Sequence, residues 1–162
     1  MRTNVEFTDN SISIKEKINK KSLNWLEEVA SEIESQVIRN SRTDTGNTKR
    51  HWKHYTDETQ GESVIGNELE NALWEEFGTG EYAINGDGRK TPWYVPVEEV
   101  LGTKKPTFNG KVEIVYGKDG TAFYKTDGKK PSRAFTKAFE TVRPKAEKKA
   151  EEIFGGIGKW SV

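Results

Sequence analysis

The longest periodic stretch of this chain runs from about Ile14 to Asn40, where apolar residues return at helical spacing. Leu26, Val29, Ala30, Ile33 and Val37 fall on one stripe with Ser22 and Asn40 at its ends, while Lys15, Glu16, Lys20, Lys21, Glu28, Glu32 and Glu34 lie mostly off it. A helix of about 25 residues is roughly 38 Å long. That is about the diameter of the domain a 162-residue chain makes, so the rod has to lie across the fold. Burying its four larger apolar side chains at roughly 1.5 to 3 kcal/mol each gives about 6 to 12 kcal/mol before entropy is subtracted. The rod therefore needs a sheet to pack on. Leu23 and Trp25 sit at the edges of the stripe, where they either widen the core face or reach a neighbour.

Before the rod, Val5 to Thr8 reads as a short strand and Asp9-Asn10-Ser11 as a capping cluster. After it, Asp44-Thr45-Gly46 reads as a terminator, in which Gly46 reverses the chain. His51 to Thr56 and Glu62 to Ile65, separated by a polar turn, predict a hairpin. His51 and His54 are the only histidines, and a spacing of three on a strand sends them to opposite faces, which spoils joint metal ligation. Trp52 and Trp74 are expected to pack as cross-strand partners.

Leu69 to Phe77 can alternate as a strand, with Leu69, Asn71, Leu73, Glu75 and Phe77 on one face and Glu70, Ala72, Trp74 and Glu76 on the other. Neither face is cleanly apolar, which suits a sheet that meets helices on one side and a neighbouring chain on the other. Gly78-Thr79-Gly80 then turns the chain sharply. Residues 79–107 read as a long loop insertion rich in Gly, Pro and charge, in which Trp93 and Tyr94, fixed between Pro92 and Pro96, either anchor a partner or fold back over the sheet. Lys111–Tyr116 and Thr121–Lys125 predict two more strands. Pro131 breaks the chain, and Ser132 is placed to cap a last helix carrying Phe135, Ala138, Phe139, Val142, Ala146, Ala150 and Ile153. Pro144 predicts a kink or a second start in that helix. The tail 155–162, loosened by glycines and ending near Trp160, is expected to be mobile in the free protein and to order against a partner.

Taken together, residues 1–162 predict a single α+β domain: a small antiparallel β-sheet packed by a long N-terminal helix and a C-terminal helix. Apolar and charged residues each make up 32%, a low hydrophobic share that leaves some of the fold dependent on partner contacts. Lys plus Arg equals Asp plus Glu at 26 each, which argues against a dedicated nucleic-acid binder. There is no cysteine for disulfides, thiol catalysis or thiolate metal sites. No apolar run approaches the roughly 20 residues that span a bilayer, and the first residues lack a signal-peptide core, so a cytosolic origin without membrane contact is expected. The catalytic inventory is poor: no nucleophile turn, and carboxylates spread along helices. No enzyme activity, cofactor or metal is expected.

The wording Ala72-Leu73-Trp74-Glu75-Glu76-Phe77-Gly78-Thr79-Gly80 resembles the signature of the phage tail-completion family, the head-to-tail joining proteins of tailed bacteriophages. Two further matches follow the family's order: Asp44-Thr45-Gly46-Asn47-Thr48, and Thr126 to Phe135 leading into the last helix. The resemblance implies two helices against a small antiparallel sheet. It also implies a virion protein, made in the host cytoplasm, that forms a ring, six copies in the family's known types, in the neck. Its partners would be its own copies, a head connector or head-closure protein, and a tail terminator or tail-tube protein, with phage DNA crossing the lumen unread. On this chain, Trp74, Glu76, Phe77, Gly78, Thr79 and Gly80 and the later Lys130, Pro131, Arg133 and Phe135 would lie near subunit contacts. Trp93, Tyr94 and Trp160 complete the interface candidates. The long insertion and the tail depart from the shorter members.

Two other readings stand beside this one. A nucleic-acid-associated domain would use Arg89, Lys90, Lys104, Lys105, Lys129 and Lys130 beside Trp93. A retropepsin-like aspartic protease would use Asp44-Thr45-Gly46, but here the triplet follows a charged helix rather than an apolar strand.

Overall fold

The computed structural model describes residues 11–43, 46–101 and 113–155. Helix α1, Ser11–Asn40, runs antiparallel to the C-terminal helix α5, Ala134–Phe154, so that Asn40 Nδ2 donates to the Ala134 carbonyl at one end of the seam and Trp25 Nε1 to the Ala146 carbonyl towards the other. The expected stripe is the face that packs: Ala30, Ile33 and Val37 are buried, against Ala134, Ala138 and Val142 of α5. Trp25 widens that face, its ring edge-on to Phe154 at 6.3 Å between centroids. Lys149 pairs with Glu28, and Lys145 with Glu32 at 3.2 Å, lining the outside of the seam with ion pairs.

Strands β1, Trp52–Asp57, and β2, Glu62–Asn67, form the expected hairpin, paired from Trp52↔Asn67 to Asp57↔Glu62. The Asp57 carboxylate accepts from the Thr59 and Gln60 amides and fixes the turn. Alternation sends Trp52, His54 and Thr56 inward to α1, and leaves Tyr55 and Val64, paired across the strands, exposed. Trp52 stacks on Phe135 at 5.8 Å, not on Trp74 as expected. Between α1 and β1 lies a short helix, α2, Asn47–Arg50, entered through Gly46 at φ +74°, while Asp44 and Thr45 fall outside the described residues.

The main correction concerns residues 69–77. They form a helix, α3, Glu70–Phe77, not a strand. Most of Glu-Asn-Ala-Leu-Trp-Glu-Glu-Phe consists of helix formers, and the Leu69 amide is held by the Asn67 side chain at 3.0 Å. Helical geometry puts Ala72 and Glu76, four apart, on the inner face, and both are buried. With no strand there, the sheet divides. The hairpin stands apart from a second antiparallel sheet ordered β3-β5-β4, formed by Trp93–Pro96, Ala122–Thr126 and Glu113–Tyr116.

The stretch 79–107 is likewise more ordered than a loop. Its described part holds a 3-10 turn, Gly80–Tyr82, strand β3 and a short helix α4, Val97–Leu101, leaving 83–92 irregular; 102–107 fall outside the described residues. Pro96 is tolerated because β3 is an edge strand. Helix α5 continues through Pro144, which sits on its exposed side, with no second start. The core is small: Val37 and Val142 are the largest fully buried side chains among the described residues. No helix of the described residues is long and apolar enough to cross a membrane.

Candidate functional site

Helix α3 ends against the start of α5, and the contact is built almost entirely from the two sequence segments singled out above. Glu76, 7% exposed, accepts hydrogen bonds from the Phe135 amide at 2.8 Å, the Thr136 amide at 3.0 Å and the Thr136 hydroxyl. It thereby caps α5 from another helix and places a carboxylate at the positive end of its dipole. Ser132, expected to cap α5 itself, instead donates its hydroxyl to the Glu75 carbonyl at 2.9 Å. The residue preceding the helix is Arg133, whose φ of +54° leaves it without a side-chain cap.

Past α3 the segments 79–81 and 127–129 lie backbone to backbone. The Thr79 amide donates to the Lys129 carbonyl and the Glu81 amide to the Asp127 carbonyl, while the Lys129 amide donates to the Thr79 hydroxyl. The approach is so close that a Cβ on Gly80 would lie 2.1 Å from the Asp127 carbonyl oxygen, and one on Gly128 would lie 2.0 Å from that of Thr79. With φ of +61° and +122°, both positions are doubly restricted to glycine. Lys129 Nζ pairs with one oxygen of Glu75, and the other lies 3.9 Å from Arg42 Nη1. Arg42 also donates to the Lys130 carbonyl, tying in the end of α1.

Around this clasp the surface is apolar and uncovered. Leu73 is 58% exposed, Trp74 49% and Phe77 40%, all on α3, and the Ile84 amide donates a hydrogen bond to the Phe77 carbonyl, which holds Ile84 beside the end of the helix. Tyr82 lies next to it under the ammonium of Lys130. Of the expected interface residues, Trp74 and Phe77 are thus exposed at one place, whereas Glu76, Gly78 and Gly80 are buried within the chain and act on its own fold. Pro131 backs onto Gly78, and Phe135 onto Trp52. Trp93 folds back over Gly80, whereas Tyr94, the next residue in the strand, is exposed. Trp160 lies outside the described residues. Sequence reasoning passed over Leu73, Ile84 and Thr136. The signal was present: a glycine just past an apolar-acidic run marks a helix end as well as a strand end.

Of the basic residues proposed for nucleic acid, Lys129 is paired with Glu75, Lys130 lies over Tyr82 and Arg89 over Trp93, while Lys104 and Lys105 are outside the described residues. The two histidines are separate. His51 bonds to the Asn47 carbonyl. His54 sits between two acids of α1, Nδ1 at 2.5 Å from Glu34 and Nε2 at 3.1 Å from Glu27. Its bond to Glu34, then that to Glu27, raises its pKa; Glu27 in turn is lowered, first by the Thr56 hydroxyl and then by His54. No group of three potential metal ligands occurs among the described residues. Comparison of the chain with family models, with curated proteins and with solved structures finds no match.

Proposed function

We propose that this protein is a structural subunit of a tailed-bacteriophage neck, one of a ring of copies that joins the head connector to the tail tube, with DNA passing through without being read. One observation carries the reading. Two of the three segments that bear the family resemblance, about 50 residues apart, interlock through Glu76, Thr79 and Lys129 beside an uncovered apolar face. Residues that hold a fold in this way and leave Leu73, Trp74 and Phe77 in water suit a subunit whose remaining surface is completed by neighbours. Exact balance of acidic and basic residues suits contacts between copies, where opposite signs meet around a ring.

The test is genetic and visual. Deleting the gene from the phage that carries it should leave filled heads and finished tails unjoined, and an antibody to the protein should label the neck of intact virions. Joined particles in the deletion, or label elsewhere, would refute the assignment. In solution the pure protein should be monomeric or weakly associated, since ring contacts form on a template; a stable dimer with no higher state at any concentration would count against a ring.

A further inference from the structure

A groove of about 390 Å³ opens where α1, β2 and α5 meet. Its walls are Leu26, Val29 and Ile33 of α1, Ile65 of β2, and Phe135 and Phe139 of α5. No charged side chain lines it, so an apolar occupant enters without desolvating a charge. The Ser63 hydroxyl, already bonded to Thr56, keeps a lone pair free for an N–H. Elsewhere on α5 aromatic rings are paired: Phe135 stacks on Trp52, and Phe154 meets Trp25 edge-on. Phe139, between them on the helix, is 45% exposed and has no ring partner among the described residues. The open place therefore suits a further aromatic ring.

We propose that the occupant is the outer face of α3 from a second copy of this chain, with Trp74 as its central anchor. Among the described residues α3 is the helix that exposes three large apolar side chains, Leu73, Trp74 and Phe77. Spaced one and four residues apart, they form the pattern by which an amphipathic helix enters an apolar groove. From Leu73 to Phe77 the helix rises about 6 Å, and the groove floor from Leu26 to Ile33 is about 10 Å long, so the three fit within it. The same copy cannot supply them. Ala72 and Glu76 hold α3 to its own core and to α5, and Trp74, two residues from each, points the opposite way. The three side chains expose about 300 Å², against the roughly 800 Å² per partner of a stable complex. A contact this small is weak alone, which fits copies that join on a template. Knob and groove are different surfaces of one chain, so the contact runs head to tail and repeats from copy to copy, the arrangement that closes into a ring. This joint rests on the reading of the chain as a ring subunit and adds to it the pair of surfaces that meet.

The chain has no cysteine, so single-thiol variants report the contact without background. Ser63→Cys places a thiol in the groove wall, and Glu70→Cys places one a turn before Trp74 on the exposed side of α3. Mixed at high concentration with a short bis-maleimide, the two variants should cross-link to each other and far less each to itself. No cross-link in the mixture, or as much within either variant alone as between the two, would overturn the proposal. Light scattering reads the same contact by complementation. Trp74→Glu or Phe139→Glu alone should weaken self-association by about 30-fold or more, and mixing the two should restore a 1:1 pair, since one knob and one groove remain intact. A mixture that stays monomeric where the unaltered chain associates would contradict the proposal; should Phe139→Glu not fold, the cross-link decides. Copies that cross-link in this way but are missing from the necks of virions would remove the virion role and leave the contact standing.

Discussion

Replacing Glu76 tests the central joint most directly. Its carboxylate is 7% exposed and takes three hydrogen bonds from Phe135 and Thr136, two of them from the first-turn amides of α5. In Glu76→Ala those donors lose their acceptor and α5 loses both its cap and a charge at its positive end. A lost cap is worth roughly 0.5 to 2 kcal/mol, the dipole interaction up to about 2 in a partly buried setting, and each stranded buried donor about 1 to 3. Phe135 and Thr136 are half-buried, so water recovers part of this. These effects overlap, and a net loss of about 3 to 4 kcal/mol is expected, a large fraction of the roughly 5 to 15 kcal/mol that holds a domain together. At about 2 to 4 °C per kcal/mol for a chain of this size, the midpoint should fall by roughly 6 to 16 °C. Glu76→Gln keeps one acceptor oxygen but turns an NH2 towards a donor, and should lose about half as much. Urea titration followed by circular dichroism, repeated with Thr136→Ala and the double variant, measures both the loss and the coupling. A loss below about 1 kcal/mol for Glu76→Ala, or strict additivity with Thr136→Ala, would refute the claim that this carboxylate holds α5.

Gly128→Ala places a methyl 2.0 Å from the Thr79 carbonyl oxygen at φ +122°, and should lower stability by about 2 kcal/mol or more in the same titration, whereas Gly61→Ala, with open space around it, should show only the backbone strain of its positive φ. His54 makes stability depend on pH: its folded pKa is raised, so its contribution is complete below the ordinary histidine value and is lost as pH rises through the folded one. Glu27 is lowered, so its share is present above the usual carboxylate value and is lost in acid. Stability should therefore fall from about pH 6 to pH 9 by on the order of 1 kcal/mol, and His54→Gln should flatten that slope. Trp74→Glu combined with Phe77→Lys should leave the monomer's melting midpoint within about 3 °C and abolish incorporation into virions; normal incorporation would remove the α3 face from the assembly surface.

The parts of the fold that were legible in the sequence are those where one periodicity dominates. The stripe from Leu26 to Val37 has few competing readings because its off-stripe positions are charged, and the polar turn between Thr56 and Glu62 forces two short alternating runs into a hairpin. Residues 69–77 misled because both periods fit eight residues with only four apolar side chains; Ala72 and Glu76 share a face in either conformation, and only their partner, the start of α5, reveals which. The cap failed to read for a similar reason. Ser132 stands where a capping residue belongs, but Glu76 reaches the α5 amides from 59 residues away and displaces it. Residue spacing carries no record of such a pairing.

The bond from the Glu81 amide to the Asp127 carbonyl brings together the two ends of everything between them. The described residues between 81 and 126 hold the whole β3-β5-β4 sheet, and the segment returns to the body of the protein beside the point where it left, close to where Tyr82 and Ile84 also touch that body. Closing so long a loop costs roughly 3 kcal/mol in chain entropy, and a short linker would cost less. The helices and the hairpin form the older plan of the building in this sense: the segment can be lengthened or exchanged at that point while α1, α5 and β1-β2 keep their walls.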